Sequence, residues 1–265
     1  VYLEDPSLVE RMLRVRGIKV YRKNPSERLF FPPNLSTSHK SRFYEMMKKY
    51  SFRLVLRDMI KNQDQFQIQD LTHYCSTKVA REYCEILYEM GAIMKNGRGR
   101  YRTSVSPLYS FGPTLEWFIA EMFKKEFSSP ALYGVSVKKT QSGGDYDVIA
   151  SWNQRLVYVE VKSSPPKGVE LSEVSTFFSR IEDLLPEVAI LFNDTQLRMK
   201  DKLVAMFEEE LARRYGGESK TLYPVERLIE ELFHIQHHIF IVNSKKDVVE
   251  NFRTCLKEHL KHGVR

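Results

Sequence analysis

Apolar residues recur at helical spacing through much of the first hundred positions, and at every second position in the middle of the chain. An amphipathic helix is expected over residues 7–16, then a short basic strand over 18–21 and a breaker-rich stretch through Pro32, Pro33 and Asn34. Phe43, Met46, Met47, Tyr50, Leu54 and Ile60 fall near a 3.6-residue period, which predicts one helix over 41–60 with basic residues on its other face. A short helix over 68–74 follows. Val79, Tyr83, Ile86, Leu87 and Met90 line one side of a further helix that Ser76 caps and Gly91 ends. Residues 93–94 and 100–103 flank Asn96-Gly97, a pair that supplies the positive φ angles of a tight hairpin turn. Residues 104–113 carry Pro107, Gly112 and Pro113 without any period and read as a linker. Beyond them the pattern predicts helices over 114–127, 171–185, 196–214, 225–233 and 246–259, and strands over 132–139, 146–152, 156–162, 188–192 and 238–242. Strands interleaved with helices in this way make the rear of the chain α/β.

Helix, helix, helix, hairpin is an order that resembles the winged-helix fold. The resemblance implies a recognition helix over 76–90 and a wing over 95–102. Ser76, Thr77, Lys78 and Arg81 open that helix, where side chains and amide groups meet phosphates and base edges, and Lys95, Arg98, Arg100 and Arg102 lie along the wing. Glu82, Glu85 and Glu89 restrict DNA contact to the first turn. A winged helix used for protein contacts, or a solvated basic hairpin, fits the same residues.

Charge sharpens this division. Residues 1–110 hold 20 Lys+Arg against 11 Asp+Glu, whereas residues 111–265 hold 21 against 23. A basic front joined to a near-neutral rear is expected when the first grips a polyanion and the second does something else. With 265 residues, more than one ordinary domain of ~100–200, the chain divides into a basic arm at 1–40, a winged-helix domain at 41–106 and an α/β domain at 107–265. A composition of 42% hydrophobic and 28% charged residues excludes a disordered or collagen-like chain. No apolar run reaches the ~18–20 residues that cross a bilayer, so no membrane partner is expected and the location is expected to be cytoplasmic. Cys75, Cys84 and Cys255 have no disulfide spacing and are expected as thiols. His73, Cys75 and Cys84 lack zinc-finger spacing, and His234, His237 and His238 stand before a strand without partner cysteines, so neither group is assigned a metal. The phosphate-loop, dinucleotide and nucleophile-elbow motifs are absent, and nucleotide triphosphate hydrolysis is not indicated.

The chemistry concentrates in Gly143-Gly144-Asp145-Tyr146-Asp147 and Tyr158-Val159-Glu160-Val161-Lys162. Side chains alternate along a strand, so Glu160 and Lys162 share one face. A two-residue turn at Asn153-Gln154 pairs Trp152 with Arg155 and, continued backwards, sets Asp147 opposite Glu160. Directly opposed residues have Cβ atoms about 4.5–5.5 Å apart, close enough for two carboxylates to share one divalent cation. Like charges so placed cost about 0.2–1 kcal/mol, and more among valines and isoleucines, so something cationic is expected against them. Lys162 supplies one charge, and two hard oxygen ligands also describe a Mg²⁺ or Mn²⁺ site. There a metal orients a scissile phosphate while Lys162 holds or activates the attacking water and offsets growing negative charge. Upstream, Leu115, Phe118, Ile119, Met122, Phe123 and Phe127 make an apolar helix stripe with Glu116 at its margin; a solvated helix carboxylate is the plain alternative for Glu116. Asp145 beside two glycines reads as a turn residue, and Arg180 as a phosphate contact or, more simply, a surface ion pair.

Asp147, twelve intervening residues and Glu160-Val161-Lys162, after a Glu-bearing helix and before an αβ continuation, resemble the PD-(D/E)xK nuclease superfamily over residues 112–260, above all its Holliday-junction-resolvase-like and restriction-endonuclease-like branches. The proline that precedes the aspartate in that family is here Tyr146. The resemblance implies a restriction-endonuclease-like mixed sheet flanked by helices and an active site of Glu116, Asp147, Glu160 and Lys162. It places Mg²⁺ or Mn²⁺ on Asp147, Glu160 and the Val161 backbone carbonyl, with Glu116 reaching it through water. The expected function is a metal-dependent DNA endonuclease, delivered to duplex or branched DNA by the winged helix and forming a homodimer. RNA is the second choice of substrate, and a non-catalytic DNA-binding protein with a nuclease-like platform is the alternative.

Overall fold

The computed structural model describes residues 7–97, 99–138 and 140–262. Arg98, expected on the wing, and Lys139, expected to end a strand, lie outside the described residues. Two compact units form: Pro25–Phe118, and the chain on either side of it, with the boundary inside the helix Gly112–Glu126.

Ser7 caps helix α1 (Leu8–Val15): its Oγ accepts from the Glu10 amide while the Glu10 carboxylate accepts from the Ser7 amide, satisfying two donors that a helix start leaves orphaned. The basic strand β1 (Lys19–Arg22) follows. In the smaller unit the helix expected over 41–60 is two, α2 (Thr37–Met47) and α3 (Tyr50–Lys61), broken at Lys49 in extended conformation. Apolar spacing runs across the break and conceals it. The cause is Arg53, buried at 1% exposure, whose guanidinium donates to the carbonyls of Met47 and Lys48 that α2 leaves unpaired. The helix expected over 68–74 shrinks to a 3₁₀ turn, Ile68–Leu71. Then come α4 (Thr77–Glu89), capped by Ser76 as expected, and the hairpin β2 (Ile93–Lys95) and β3 (Tyr101–Thr103). Phe43 packs edge-on against Phe31, Phe52 and Trp117 at centroid distances of 5.0, 5.6 and 5.7 Å, an aromatic core for this unit. Helix α5 (Gly112–Glu126) carries Glu116 on the Pro25–Phe118 side of the boundary.

The larger unit is built on β4 (Ala131–Lys138), β5 (Asp145–Trp152), β6 (Arg155–Lys162), α6 (Leu171–Leu184), β7 (Val188–Asn193), α7 (Ala205–Tyr215), the short α8 (Ser219–Leu222), β8 (Glu226–Ile229), β9 (Leu232–Ile235), β10 (Ile239–Asn243) and α9 (Val248–His262). Eight strands form one sheet in the order β1-β4-β5-β6-β7-β10-β9-β8. β7 runs parallel to β6 and β10, and the other neighbours are antiparallel. The expected α/β class is therefore observed as a mixed sheet flanked by helices. Val9 and Leu13 of α1, Phe177 of α6 and Phe207 of α7 bury with Tyr158, Ala189 and Leu191 in one cluster. Ile190 and Phe192 alternate to the opposite face, where Phe252 of α9 meets Phe192 and Phe123.

Two expectations fail here. Residues 225–233 form the hairpin β8–β9 instead of a helix, although Val225, Leu228, Ile229, Leu232 and Phe233 have helical spacing. Glu230 turns the chain at φ 50°, and β9 is buried on both faces as it pairs with β10, so sheet completion overrides the local period. The helix expected over 196–214 starts late, with one wide turn at Lys200–Val204 before α7. The Met199 amide donates to Glu231 at 2.8 Å and the Leu197 amide to Thr195 Oγ1 at 3.1 Å, bonds that hold the preceding residues in a loop.

Candidate functional site

The turn at Asn153-Gln154 adopts positive φ at both positions, 47° and 61°, as a two-residue hairpin requires. It pairs Trp152 with Arg155 and runs in register to Val148 opposite Val159. One step further, the Val161 amide donates to Asp147 Oδ2 at 2.7 Å, which holds the Asp147 side chain against β6. Asp145 opens β5 opposite Ser136, whose hydroxyl it accepts, so it is a strand residue and not the turn residue expected.

Along β6, alternation places Tyr158, Glu160 and Lys162 on one face. Glu160 is 3% exposed. Its Oε1 lies 3.0 Å from Lys162 Nζ, its Oε2 lies 2.7 Å from Arg180 Nη1, and Oε2 also accepts the Tyr158 hydroxyl. Lys162 Nζ has a second acid, Glu173 Oε1, at 2.8 Å. Glu173 and Arg180 are seven residues apart on α6, two helical turns, and so reach the sheet from one side of that helix. The cation expected against the acids is thus provided within the chain itself by Lys162 and Arg180. Arg180 is a half-buried partner of the buried Glu160, which corrects its reading as a surface ion pair. The glycines before β5 fit the same cluster: Gly144 sits at φ +76°, and a Cβ there would come within 3.1 Å of Arg180 Nη2.

Burial alone would push the Glu160 carboxyl up, but Lys162, Arg180 and the Tyr158 hydroxyl outweigh it and hold the group below the usual carboxylate range. Burial pulls the Lys162 ammonium down, and the carboxylates of Glu160 and Glu173 more than restore it, leaving it above its ordinary value. At neutral pH the pair is therefore ionic. Lys162 in this state can stabilise an anion or give up a proton, and it cannot take one.

Asp147, Glu160 and the Val161 backbone carbonyl are oxygen donors, the chemical type that Mg²⁺ takes. Glu116 is half-buried on α5, within the Pro25–Phe118 unit. In that smaller unit Thr77, Lys78 and Arg81 are exposed on the first turns of α4. Ser76 is also exposed, but its hydroxyl accepts the Val79 amide at 3.3 Å as the helix cap. Lys95, Arg100 and Arg102 are exposed on the hairpin, with Lys95 Nζ 4.9 Å above the Tyr88 ring. Sequence reasoning missed Tyr158 and Glu173; the alternation Tyr158-Val159-Glu160 was signal enough for the first.

No family model matches the chain, and no curated protein matches it. Among solved structures, protein VC1899 from Vibrio cholerae is similar with 14% identity and a TM-score of 0.50, over 79% of this chain and 57% of that one. Can2 from Sulfobacillus thermosulfidooxidans, solved in complex with cyclic tetra-adenylate (cA4), is similar with 12% identity and a TM-score of 0.50, over 97% of this chain and 61% of that one. At such identities the likeness is one of fold. The chain spans less than two thirds of the length of either protein. Among the described residues no helix is long and apolar enough to cross a membrane.

Proposed function

We propose that the chain is a metal-dependent nuclease with a restriction-endonuclease-like domain, which hydrolyses phosphodiester bonds in duplex or branched DNA held by a winged-helix module. The observation that carries this reading is the ionic cluster of buried Glu160 with half-buried Lys162 and Arg180, beside Asp147 on the adjoining strand. Buried charges of this kind are costly to assemble for stability alone, and they gather where charge develops in a reaction. Asp147, Glu160 and the Val161 carbonyl would hold Mg²⁺ or Mn²⁺, which when bound supplies Lewis-acid polarisation of the scissile phosphate. Arg180 and Tyr158 fix the Glu160 carboxylate, and the Val161 amide fixes Asp147. Lys162, steadied by Glu173, presents an ammonium to the negative charge that grows on the phosphoryl oxygens. The similarity in fold to Can2 is compatible with a phosphodiester substrate, since cyclic tetra-adenylate is itself joined by such bonds. Exposed Thr77, Lys78, Arg81, Lys95, Arg100 and Arg102 would contact the DNA backbone.

The full chain incubated with supercoiled plasmid, linear duplex and a four-way junction is expected to cleave at least one of them with Mg²⁺ or Mn²⁺ and none with EDTA. Lys162→Ala should slow cleavage by about 10²–10³-fold, the usual effect of removing one preorganised electrostatic contact. A second reading has its own support: Arg180, Lys162 and Tyr158 already satisfy Glu160, which suits a non-catalytic platform carried by a DNA-binding module. DNA left intact under every condition, with binding retained in Asp147→Ala, decides for the platform.

A further inference from the structure

The sequence offers His234, His237, Glu258 and His262 no shared motif, and His234 and His237 stand with His238 before a strand without partner cysteines. The fold gathers them. His234 lies on β9 at 5% exposure, and His237 lies in the turn into β10. That turn puts two residues without glycine, Gln236 and His237, in the left-handed region at φ 50° and 56°. Glu258 and His262 are one turn apart on α9 and share its face. His259 Nδ1 lies 2.9 Å from the His237 carbonyl oxygen, tying the turn to the helix.

The three imidazoles form a column. His237 stacks on His234 and on His262 with centroids 4.3 Å apart in each case. Glu258 Oε1 stands 3.0 Å from His237 Nδ1 and 3.3 Å from His262 Nε2. His237 Nδ1 is nevertheless buried without a properly directed hydrogen bond among the described residues. Ligand atoms of His234, His237 and Glu258 all lie within 4.8 Å of one another. Neighbouring ligands around tetrahedral zinc, at bonds of about 2.0–2.1 Å, stand roughly 3.3 Å apart, so ring rotations of about an ångström close the set.

An ion-pair cluster explains these contacts poorly. Three protonated rings stacked at 4.3 Å would repel, and the half-buried Glu258 with the exposed Glu226 opposite His234 supplies only two negative charges against them. Lys261 Nζ competes for the Glu258 carboxylate from 3.9 Å, beyond hydrogen-bond reach. Two imidazoles and a carboxylate suit a borderline-soft ion such as zinc better than Mg²⁺ or Ca²⁺.

We propose that His234, His237 and Glu258 form a zinc site that fastens α9 to the β9–β10 turn. Three protein ligands leave the fourth position of tetrahedral zinc to water, and they come from β9, the turn and α9, so the ion joins these elements. The site is independent of the nuclease reading. To test it, the full chain is stripped with EDTA, exchanged into metal-free buffer, loaded with Zn²⁺ and desalted, and bound zinc is counted by mass spectrometry. One zinc per chain is expected in the wild type and in Asp147→Ala. His237→Ala and Glu258→Gln should each bind Zn²⁺ at least 100-fold more weakly, since loss of even an outer-shell partner costs about 10–100-fold. Co²⁺ added to the wild type should give the intense visible bands of a tetrahedral ion, a readout that does not depend on the variants folding. Wild-type chain that keeps no zinc, a Co²⁺ spectrum of octahedral type, or zinc lost in Asp147→Ala but kept in His237→Ala each overturns the proposal.

Discussion

The two polar clusters of the large unit each centre on a glutamate, and they treat it in opposite ways. Glu160, in the middle of the sheet, is closed in by Lys162, Arg180 and Tyr158, so its charge is compensated from within the chain. Glu258, at the edge, faces a stack of histidines of which one is held neutral, with a buried nitrogen lacking a directed partner. Low dielectric surroundings reward full satisfaction and penalise partial satisfaction. The first cluster is thus preorganised as it stands, whereas the second has a ligand's worth of unused coordinating capacity. A metal at the first would compete with Lys162 and Arg180 for the Glu160 oxygens; a metal at the second would meet no resident cation within hydrogen-bond distance except the histidines' own protons.

The largest effect that bears on this contrast is expected from Arg180→Ala. It leaves Glu160 buried with only Lys162 and Tyr158, and breaking a buried pair on one side costs about 3–5 kcal/mol, here near the lower end because two partners remain. Urea unfolding of the metal-free chain measures it. A loss under about 1 kcal/mol would mean that Lys162 alone compensates Glu160 and that Arg180 is dispensable. A smaller and more local effect separates the two glycines before β5. Gly143 and Gly144 both sit at positive φ, 62° and 76°, but only at Gly144 would a Cβ meet Arg180, at 3.1 Å. Alanine at either should cost about 1–2 kcal/mol for the left-handed conformation. Gly144→Ala should cost more than Gly143→Ala, and the excess should vanish in an Arg180→Ala background. An excess that persists there would place the strain elsewhere.

The contrast also explains what could be read in the sequence. Asp147, Glu160 and Lys162 were legible because one short turn and strand alternation fix their relation, and both are local rules. Arg180 and Glu173 were half legible: their spacing puts them on one side of α6, but only the docking of that helix on β6 decides that this side covers Glu160. The histidine cluster was not legible. His234 lay just beyond residues whose period is helical, and sheet completion, a non-local effect, turned them into β8 and β9. Glu258 stands 21 residues beyond His237, on α9, which packs back on β10 and meets the turn before it. The α/β class and most element positions followed from periodicity and the mixed sheet from the resemblance, while the break between α2 and α3 depended on a single buried arginine from the next helix.

The smallest effect distinguishes the clusters by pH. Desolvation, reinforced by His237, depresses His234 below its ordinary 6.5 in the folded chain. The unfolded chain therefore takes up more protons as pH falls through 6.5, so this stability is present above that point and is lost below it. His259, lowered mainly by burial, acts in the same window and direction. Glu160 has a net downward displacement from its ordinary 4.5, against its burial, through Lys162, Arg180 and Tyr158. Its contribution is present above 4.5 and is lost only as pH falls further, through the folded value. Urea midpoints of the EDTA-treated chain should accordingly decline in two stages, one from about pH 7 to 5 and one below about pH 4.5. His234→Gln should shrink the first stage and spare the second, and Glu160→Gln should do the reverse. A single decline shifted alike by both substitutions would show that the two clusters titrate as one network, and the separation between a self-compensated site and an under-satisfied one would be lost.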